Sequence, residues 1–155
     1  MSPAISLWLY RLAVLAHIAG VVVWMGAVAY YLLILRPALR ASGLERKATY
    51  PLLVAIKARL RRVVGASIVV IVASGLYNAH VRGLLAPGAR GTLRGEIFRW
   101  KMLVVSVLIV TFLVALPLLR RVRTPALRGR LFVAVHVFVL ACGLLAAVAG
   151  VILSR

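Results

Sequence analysis

The sequence has very few acidic residues: Glu45 and Glu96 are the only two among 155, against 20 lysines and arginines. It contains no paired carboxylates, no nucleophile–base pair, no phosphate-binding loop and no metal-protease motif. Each of these is the usual basis of hydrolytic or phosphoryl-transfer chemistry. We therefore do not expect an enzyme of either class.

Sulfur is equally scarce. Cys142 is the only cysteine, which excludes an intrachain disulfide and a metal site built from several thiolates. Met1, Met25 and Met102 are the only methionines, too few for a methionine-rich metal pathway. A metal held by this chain would therefore depend mainly on its three histidines.

Hydrophobic residues are what the sequence has in excess, at 65% with a mean hydropathy of +1.09, whereas soluble domains average about 45–50%. Four apolar runs are long enough to cross about 30 Å of hydrocarbon. They cover roughly residues 6–35, 63–81, 100–119 and 131–153. The sequence predicts an all-α, four-helix transmembrane bundle, antiparallel and up-down-up-down, that forms a single domain over residues 1–155.

The net charge of +18 lies almost entirely between the apolar runs. Cations in such positions face lipid headgroups, so we expect contact with the lipid bilayer and no binding of nucleic acid. The connection over 36–62 and the connection after 119 are the most basic. The positive-inside rule then predicts a multi-pass plasma-membrane protein with these two connections cytoplasmic and both termini outside. Within the first connection, YPLLVAIKARLRR has helical spacing and is a candidate extension of the second span.

His17 is the most informative residue of the first span. Between Leu12 and Leu35 no other side chain is ionisable except those of two tyrosines. A histidine in lipid is costly to leave unpaired, so it usually marks a ligand or a relay. Ala13, Gly20 and Trp24 share its helical face, and the two small residues leave room for something flat. The alternative is a histidine that only forms a hydrogen bond between helices.

Three ionisable residues are predicted to lie at one depth. The depth was counted at 1.5 Å per residue from the arginines at the inner ends of three spans, Arg36, Arg62 and Arg120. It comes to about 27–29 Å for each of the three: His17, His80 and Lys101. The level is towards the outer face.

A heme b would account for this layer. Two imidazoles, His17 and His80, would be its axial metal ligands. Arg11, Arg82 and Lys101 would bind the propionates, and Tyr77 would donate a hydrogen bond to a ligand or propionate. The alternatives are that His80 is an ordinary interfacial histidine and that Lys101 extends its amine to the membrane surface.

His136 does not fit this layer, because it lies soon after Arg130 and so about 18–20 Å deeper than His17. It either pairs with Tyr30 or Tyr31, serves a second site, or ligates the heme if the helix ends differ from those predicted. We keep His136 as the reserve ligand.

Two short stretches resemble the HemJ-type protoporphyrinogen oxidases. AHIAGVVVWMGAVAYYLLILRP is similar to their first helix, and WKMLVVSVLIV matches a third helix with a lysine near its start. This resemblance implies heme b, with His17 as a ligand and Lys101 as a functional lysine.

Three stretches, one of which overlaps the second HemJ-like stretch, resemble the last helices of the copper-resistance membrane family CopD. The similar stretches are RLRRVVGASIVVIVASGLYNAHVRG, FRWKMLVVSVLIVTFLVALPLLRR and RGRLFVAVHVFVLACGLLAAVAGVIL. This resemblance implies copper as the alternative cofactor, and transport or handling of metal as the alternative function.

The sequence thus favours a b-type heme membrane protein that acts in electron transfer or as a membrane heme oxidoreductase. Such a protein would exchange electrons with a redox partner or a quinone, and a homo-oligomer is among its candidate assemblies. Two other hypotheses stay open: a copper-handling membrane protein, and a non-catalytic subunit of a larger complex.

Overall fold

Helices dominate the computed structural model, which describes residues 3–119 and 121–154. No strand occurs in these ranges, and the predicted all-α class with four long helices is confirmed. Four stretches are long and apolar enough to cross a membrane: Ile5–Ala41, Lys47–Val81, Leu93–Leu119 and Ala126–Leu153. Their surfaces expose large apolar side chains such as Leu15 and Val69, 63% and 67% exposed. Such a surface suits lipid as the surrounding solvent.

The first helical stretch contains a widened turn. Helix α1 spans Pro3–Ala29, a π-helical segment spans Tyr30–Leu35, and helix α2 spans Arg36–Ala41. Pro37 explains the change, since it has no N–H for the carbonyl four residues earlier and its ring crowds that carbonyl. The Arg36 N–H bonds the Tyr31 carbonyl instead, five residues back, as in a π-helix.

Helix α3 spans Arg46–Val81, or 36 residues, about 54 Å at 1.5 Å per residue. The prediction of a connection over 36–62 is corrected here, because only residues 42–45 lie outside helices. The predicted helical extension at YPLLVAIKARLRR is confirmed. The basic residues before residue 63 had been taken as the start of a connection, because the apolar run of the second span begins there. Lysine and arginine are good helix formers, however, and α3 continues through them.

Helix α3 ends immediately after His80 in a glycine cap. Gly83 has φ +68°, a left-handed conformation that a side chain would strain. The Leu84 N–H bonds the Ala79 carbonyl at 2.9 Å, and the Gly83 N–H bonds the His80 carbonyl at 2.9 Å. This is the Schellman pattern, and it places Arg82 at the helix end.

The second half of the chain begins with a short 3₁₀ turn at Pro87–Ala89 and continues as helix α4, Leu93–Val110. The Thr92 hydroxyl accepts the Gly95 N–H at 3.1 Å and caps the start of α4. A Cβ at Gly95 would overlap the Ala89 carbonyl, so glycine is needed there. Helix α4 therefore starts before the predicted residue 100.

A second π-helical segment, Thr111–Ala115, is followed by helix α5, Leu116–Leu119. It ends two residues before Pro117, just as the first ends two residues before Pro37. Helix α6 spans Pro125–Ser154 and begins before the predicted residue 131. The depth of Lys101 had been counted from Arg120, which lies outside the described residues.

The chain divides into two compact units, Met1–Leu85 and Ala86–Arg155. In the first, α1 packs along α3; in the second, α4 packs along α6. We call the α1–α3 unit hairpin 1 and the α4–α6 unit hairpin 2. Each is described by itself.

Candidate functional site

His17 makes a specific hydrogen bond across hairpin 1. Its half-buried ring places Nδ1 2.9 Å from the Ile71 carbonyl oxygen and 3.3 Å from Ser74 Oγ. A carbonyl can only accept, so Nδ1 carries the proton. When the imidazole is neutral, its lone pair is then on Nε2, the nitrogen with which a histidine in this tautomer ligates a metal.

A glycine on α3 makes this approach geometrically possible. A Cβ built on Gly75 would lie 3.0 Å from His17 Cε1 and 3.3 Å from Nδ1. The edge of the imidazole therefore rests on the backbone of α3, where a larger residue would displace it. Helices in lipid commonly approach closely at such small residues.

A second glycine, on α1, continues the close contact. A Cβ on Gly20 would lie 2.8 Å from Ile71 Cγ1 and 3.4 Å from the Ser67 carbonyl oxygen. The small face predicted beside His17 thus packs against α3. Gly20 is therefore a residue at which α1 packs closely against α3.

Two buried serines line the same face of α3. Ser67 Oγ donates to the Val63 carbonyl at 2.9 Å, and Ser74 Oγ donates to the Val70 carbonyl at 2.5 Å. Each hydroxyl proton is thereby used within its own helix, which leaves the oxygen as an acceptor. Ser74 can accordingly share the Nδ1–H of His17.

Tyr10 and Arg82 close one end of hairpin 1. Arg82 donates to the Tyr10 hydroxyl through Nε at 2.9 Å and Nη2 at 2.5 Å. Its guanidinium carbon lies 5.7 Å from the centre of the Tyr10 ring. Arg11 lies 5.6 Å from the ring centre of Trp8. Both predicted propionate-binding arginines are thus exposed and held beside aromatic rings.

His80 does not lie at the level of His17. His17 faces Ile71, Ser74 and Gly75, and His80 follows Gly75 by five residues, about 8 Å along the helix axis. The equal depth expected for these two histidines is therefore wrong within hairpin 1. The count failed because it assumed that both helices enter the membrane at an arginine. His80 is exposed, and Tyr77 is half-buried on the same helix.

Lys101 belongs to hairpin 2, where its half-buried side chain reaches α6. Its Nζ lies 3.1 Å from the position of a Cβ on Gly150. Gly150 thus makes space for the amine, because a side chain there would crowd it.

His136, the reserve ligand, is half-buried on α6. Its Nδ1 lies 2.8 Å from the Phe132 carbonyl oxygen, one turn earlier, and its ring centroid lies 3.9 Å from that of Phe132. Because the carbonyl must accept, His136 has the same tautomer as His17, with its lone pair on Nε2.

Sequence reasoning did not single out three residues of this site: Ser74, Gly75 and Asn78. Asn78 Oδ1 is buried and accepts no hydrogen bond from the residues that the structure describes. One signal was available, since Ser67, Ser74 and Asn78 recur at helical spacing on one face of an otherwise apolar helix.

Comparison with known proteins leaves the site to be interpreted from its own geometry. No protein-family model, curated protein or solved structure matches the chain.

Proposed function

We propose that this integral membrane protein binds heme b and acts in electron transfer or heme-based redox chemistry, with His17 as an axial ligand. One observation carries the proposal: the hydrogen bond from His17 Nδ1–H to the Ile71 carbonyl. It orients the ring and fixes the tautomer, as the backbone partner of a metal-bound histidine does. The likeness of the first helix to the HemJ type supports the same assignment.

The donor set of the chain suits heme better than a bare metal ion. Among the described residues, no three His, Cys, Asp or Glu side chains come together. Copper bound by protein alone would have at most two ligands of these types from the described residues, whereas heme brings four nitrogens and needs only one or two side chains. When bound, heme supplies one-electron transfer. The chain itself would orient the ligand and exclude water through the close packing around Gly20 and Gly75.

Arginines at the Tyr10–Arg82 end would hold the negative groups of the cofactor. Arg82 is oriented by its bonds to Tyr10, and guanidinium–carboxylate pairs are strong where water is scarce. We assign propionate binding to Arg82 and Arg11, with Tyr77 as a hydrogen-bond donor. His80, about 8 Å further along hairpin 1 than His17, is the proposed second ligand on the sequence alone, and His136 is the reserve.

The four apolar helices fit a multi-pass membrane protein. We further propose that it lies in the plasma membrane with both termini outside, that its spans alternate in direction, and that it exchanges electrons with a redox partner or a quinone. A homo-oligomer is the assembly we propose to look for.

The visible spectrum of the protein expressed with ample heme tests the function. We expect a Soret band that His17→Ala abolishes while the helical circular dichroism is retained. His80→Ala and His136→Ala show which histidine is the second axial ligand, because only the loss of that ligand changes the coordination state of the heme and hence the spectrum. A protein without a Soret band, or one whose band survives His17→Ala, contradicts the proposal; stoichiometric copper binding without heme would support the copper alternative.

A further inference from the structure

Helix α3 is longer than a bilayer requires. Its 36 residues, Arg46–Val81, extend about 54 Å, against about 30 Å of hydrocarbon. Even at a tilt of about 40°, the upper end of the range for membrane helices, α3 rises about 41 Å along the bilayer normal. About 11 Å or more of this helix therefore lies outside the hydrocarbon.

The Arg46 end of α3 is the part that projects from the membrane. Residues 63–81 contain no lysine, arginine or acidic residue, whereas residues 46–62 contain six cations. Arg82 lies at the other end of hairpin 1, where a cation and an aromatic ring suit the membrane surface. Counted from there along the bilayer normal, about 30 Å of hydrocarbon ends near Arg62. The residues of α3 before this level thus continue as helix into water.

One stripe of the projecting segment is exposed along its whole length. It consists of Lys47, Tyr50, Val54, Lys57 and Arg61, which we call the basic stripe. Its members are spaced by three and four residues in turn, as positions that face a second helix are. Tyr50 and Val54 are 64% and 49% exposed. Large apolar side chains that lie in water between cations are typical of a surface that binds another protein.

The bilayer itself does not suit the basic stripe. Helices that bind a membrane surface lie in its plane and separate an apolar face from a cationic one. Helix α3 instead continues without interruption into its membrane-spanning part, and its basic stripe mixes both kinds of residue. Tyr50 and Lys47 lie about 18 and 22 Å along the helix from Arg62, beyond a headgroup layer of about 5–8 Å.

The chain has no acidic surface that could neutralise the basic stripe. Glu45 and Glu96 are its only acidic residues. Glu45 immediately precedes α3, and Glu96 pairs with Arg99 at 2.9 Å in hairpin 2. A second copy of the chain would bring the same net charge of +18, and like charges across an interface repel. The occupant that fits this stripe is therefore a different protein with acidic residues.

We propose that the basic stripe binds an acidic amphipathic helix of a partner protein, in the aqueous phase at the Arg46 end of hairpin 1. Apolar side chains of that helix pack on Tyr50 and Val54, and its carboxylates pair with the cations of the stripe. The three- and four-residue spacing allows two helices to pack side by side in this way. The site is separate from His17 and does not depend on the cofactor that the protein binds.

Photocrosslinking of the full-length protein in the organism's own cells tests this surface. The photoreactive residue p-benzoylphenylalanine replaces Tyr50 in one variant and Tyr30 in the matched control. Tyr30 is also an exposed tyrosine, 45% exposed, but it lies about 30 Å from Tyr10 along α1 and so at the level of the membrane. We expect an adduct with another protein from position 50 and not from position 30. Mass spectrometry should place the cross-link in a helix rich in aspartate and glutamate.

Charge reversal at two nearby residues shows whether the stripe makes the contact. Lys57→Glu lies in the basic stripe, whereas Arg59→Glu makes the same change of charge on another face of α3. We expect Lys57→Glu to lower the yield of the adduct several-fold and Arg59→Glu to leave it nearly unchanged. The proposal is overturned if position 50 gives no adduct with another protein, if the adduct is lipid alone or a second copy of this chain, or if both reversals act equally. None of these results bears on heme binding, which the Soret band tests separately.

Discussion

The two hairpins use one packing device for two different side chains. In hairpin 1, His17 of α1 rests on Gly75 of α3; in hairpin 2, Lys101 of α4 reaches Gly150 of α6. Each ionisable residue thus comes from the first helix of its hairpin and meets a glycine of the second. A missing Cβ gives a polar group room between helices that are otherwise apolar.

The difference lies in what surrounds each group. The face around His17 is polar, with buried Ser67 and Ser74 and the amide of Asn78. In hairpin 2 the buried side chains among the described residues are only leucines, Leu108, Leu119 and Leu153. A hydrogen-bonded neutral imidazole offers a lone pair, whereas an ammonium group offers three donors and no acceptor. The surroundings of His17 are therefore suited to ligation, and those of Lys101 to a charged group.

The largest effect should follow from a side chain at Gly75. Gly75→Leu would force the His17 ring away from Ile71, and overpacking of this kind costs about 1–3 kcal/mol. We expect loss of the Soret band and a lower free energy of unfolding in mixed micelles. Gly65→Leu is the matched control on the same helix, because a Cβ there meets nothing within 4 Å. Equal losses in both variants would show that His17 does not depend on Gly75.

The corresponding change in hairpin 2 should be milder. Gly150→Leu meets the far end of a flexible lysine, Nζ at 3.1 Å, which can move aside. The loss of stability should stay below about 1 kcal/mol, as for most substitutions that displace a mobile side chain. Absorbance titration with heme should match wild type. If Gly150→Leu abolishes heme binding as Gly75→Leu does, the division of roles between the hairpins is wrong.

The smallest effect is expected at the feature that the hairpins share. Pro37→Ala and Pro117→Ala restore the missing N–H, so each π-helical segment should become α-helical with little change in stability. Backbone ¹³C chemical shifts at Tyr31 and Phe112 would report the change. A segment that stays π-helical without its proline would show that tertiary packing, rather than proline, causes the widened turn.

Much of the fold was predictable from the apolar runs, because hydrocarbon thickness sets a minimum length for each span. The helix ends were not, since Arg46–Val81 continues as helix far beyond the apolar run. The importance of His17 was likewise predictable, as an imidazole among aliphatic residues needs a partner. The prediction that His17 and His80 lie at the same depth was wrong. Equal numbers of residues from Arg36 and from Arg62 do not determine the register between the two helices.

The sequence by itself determined four membrane-length helices, a basic surface and one histidine that must find a partner in lipid. Only the tertiary structure decided that this partner is the Ile71 carbonyl, that Gly75 makes room for the ring, and that Asn78 Oδ1 has no donor among the described residues. The physical reason is that helical periodicity sets which residues share a face. The register between two helix faces depends on close packing at single small residues. Counting residues from the end of one helix does not reveal that register.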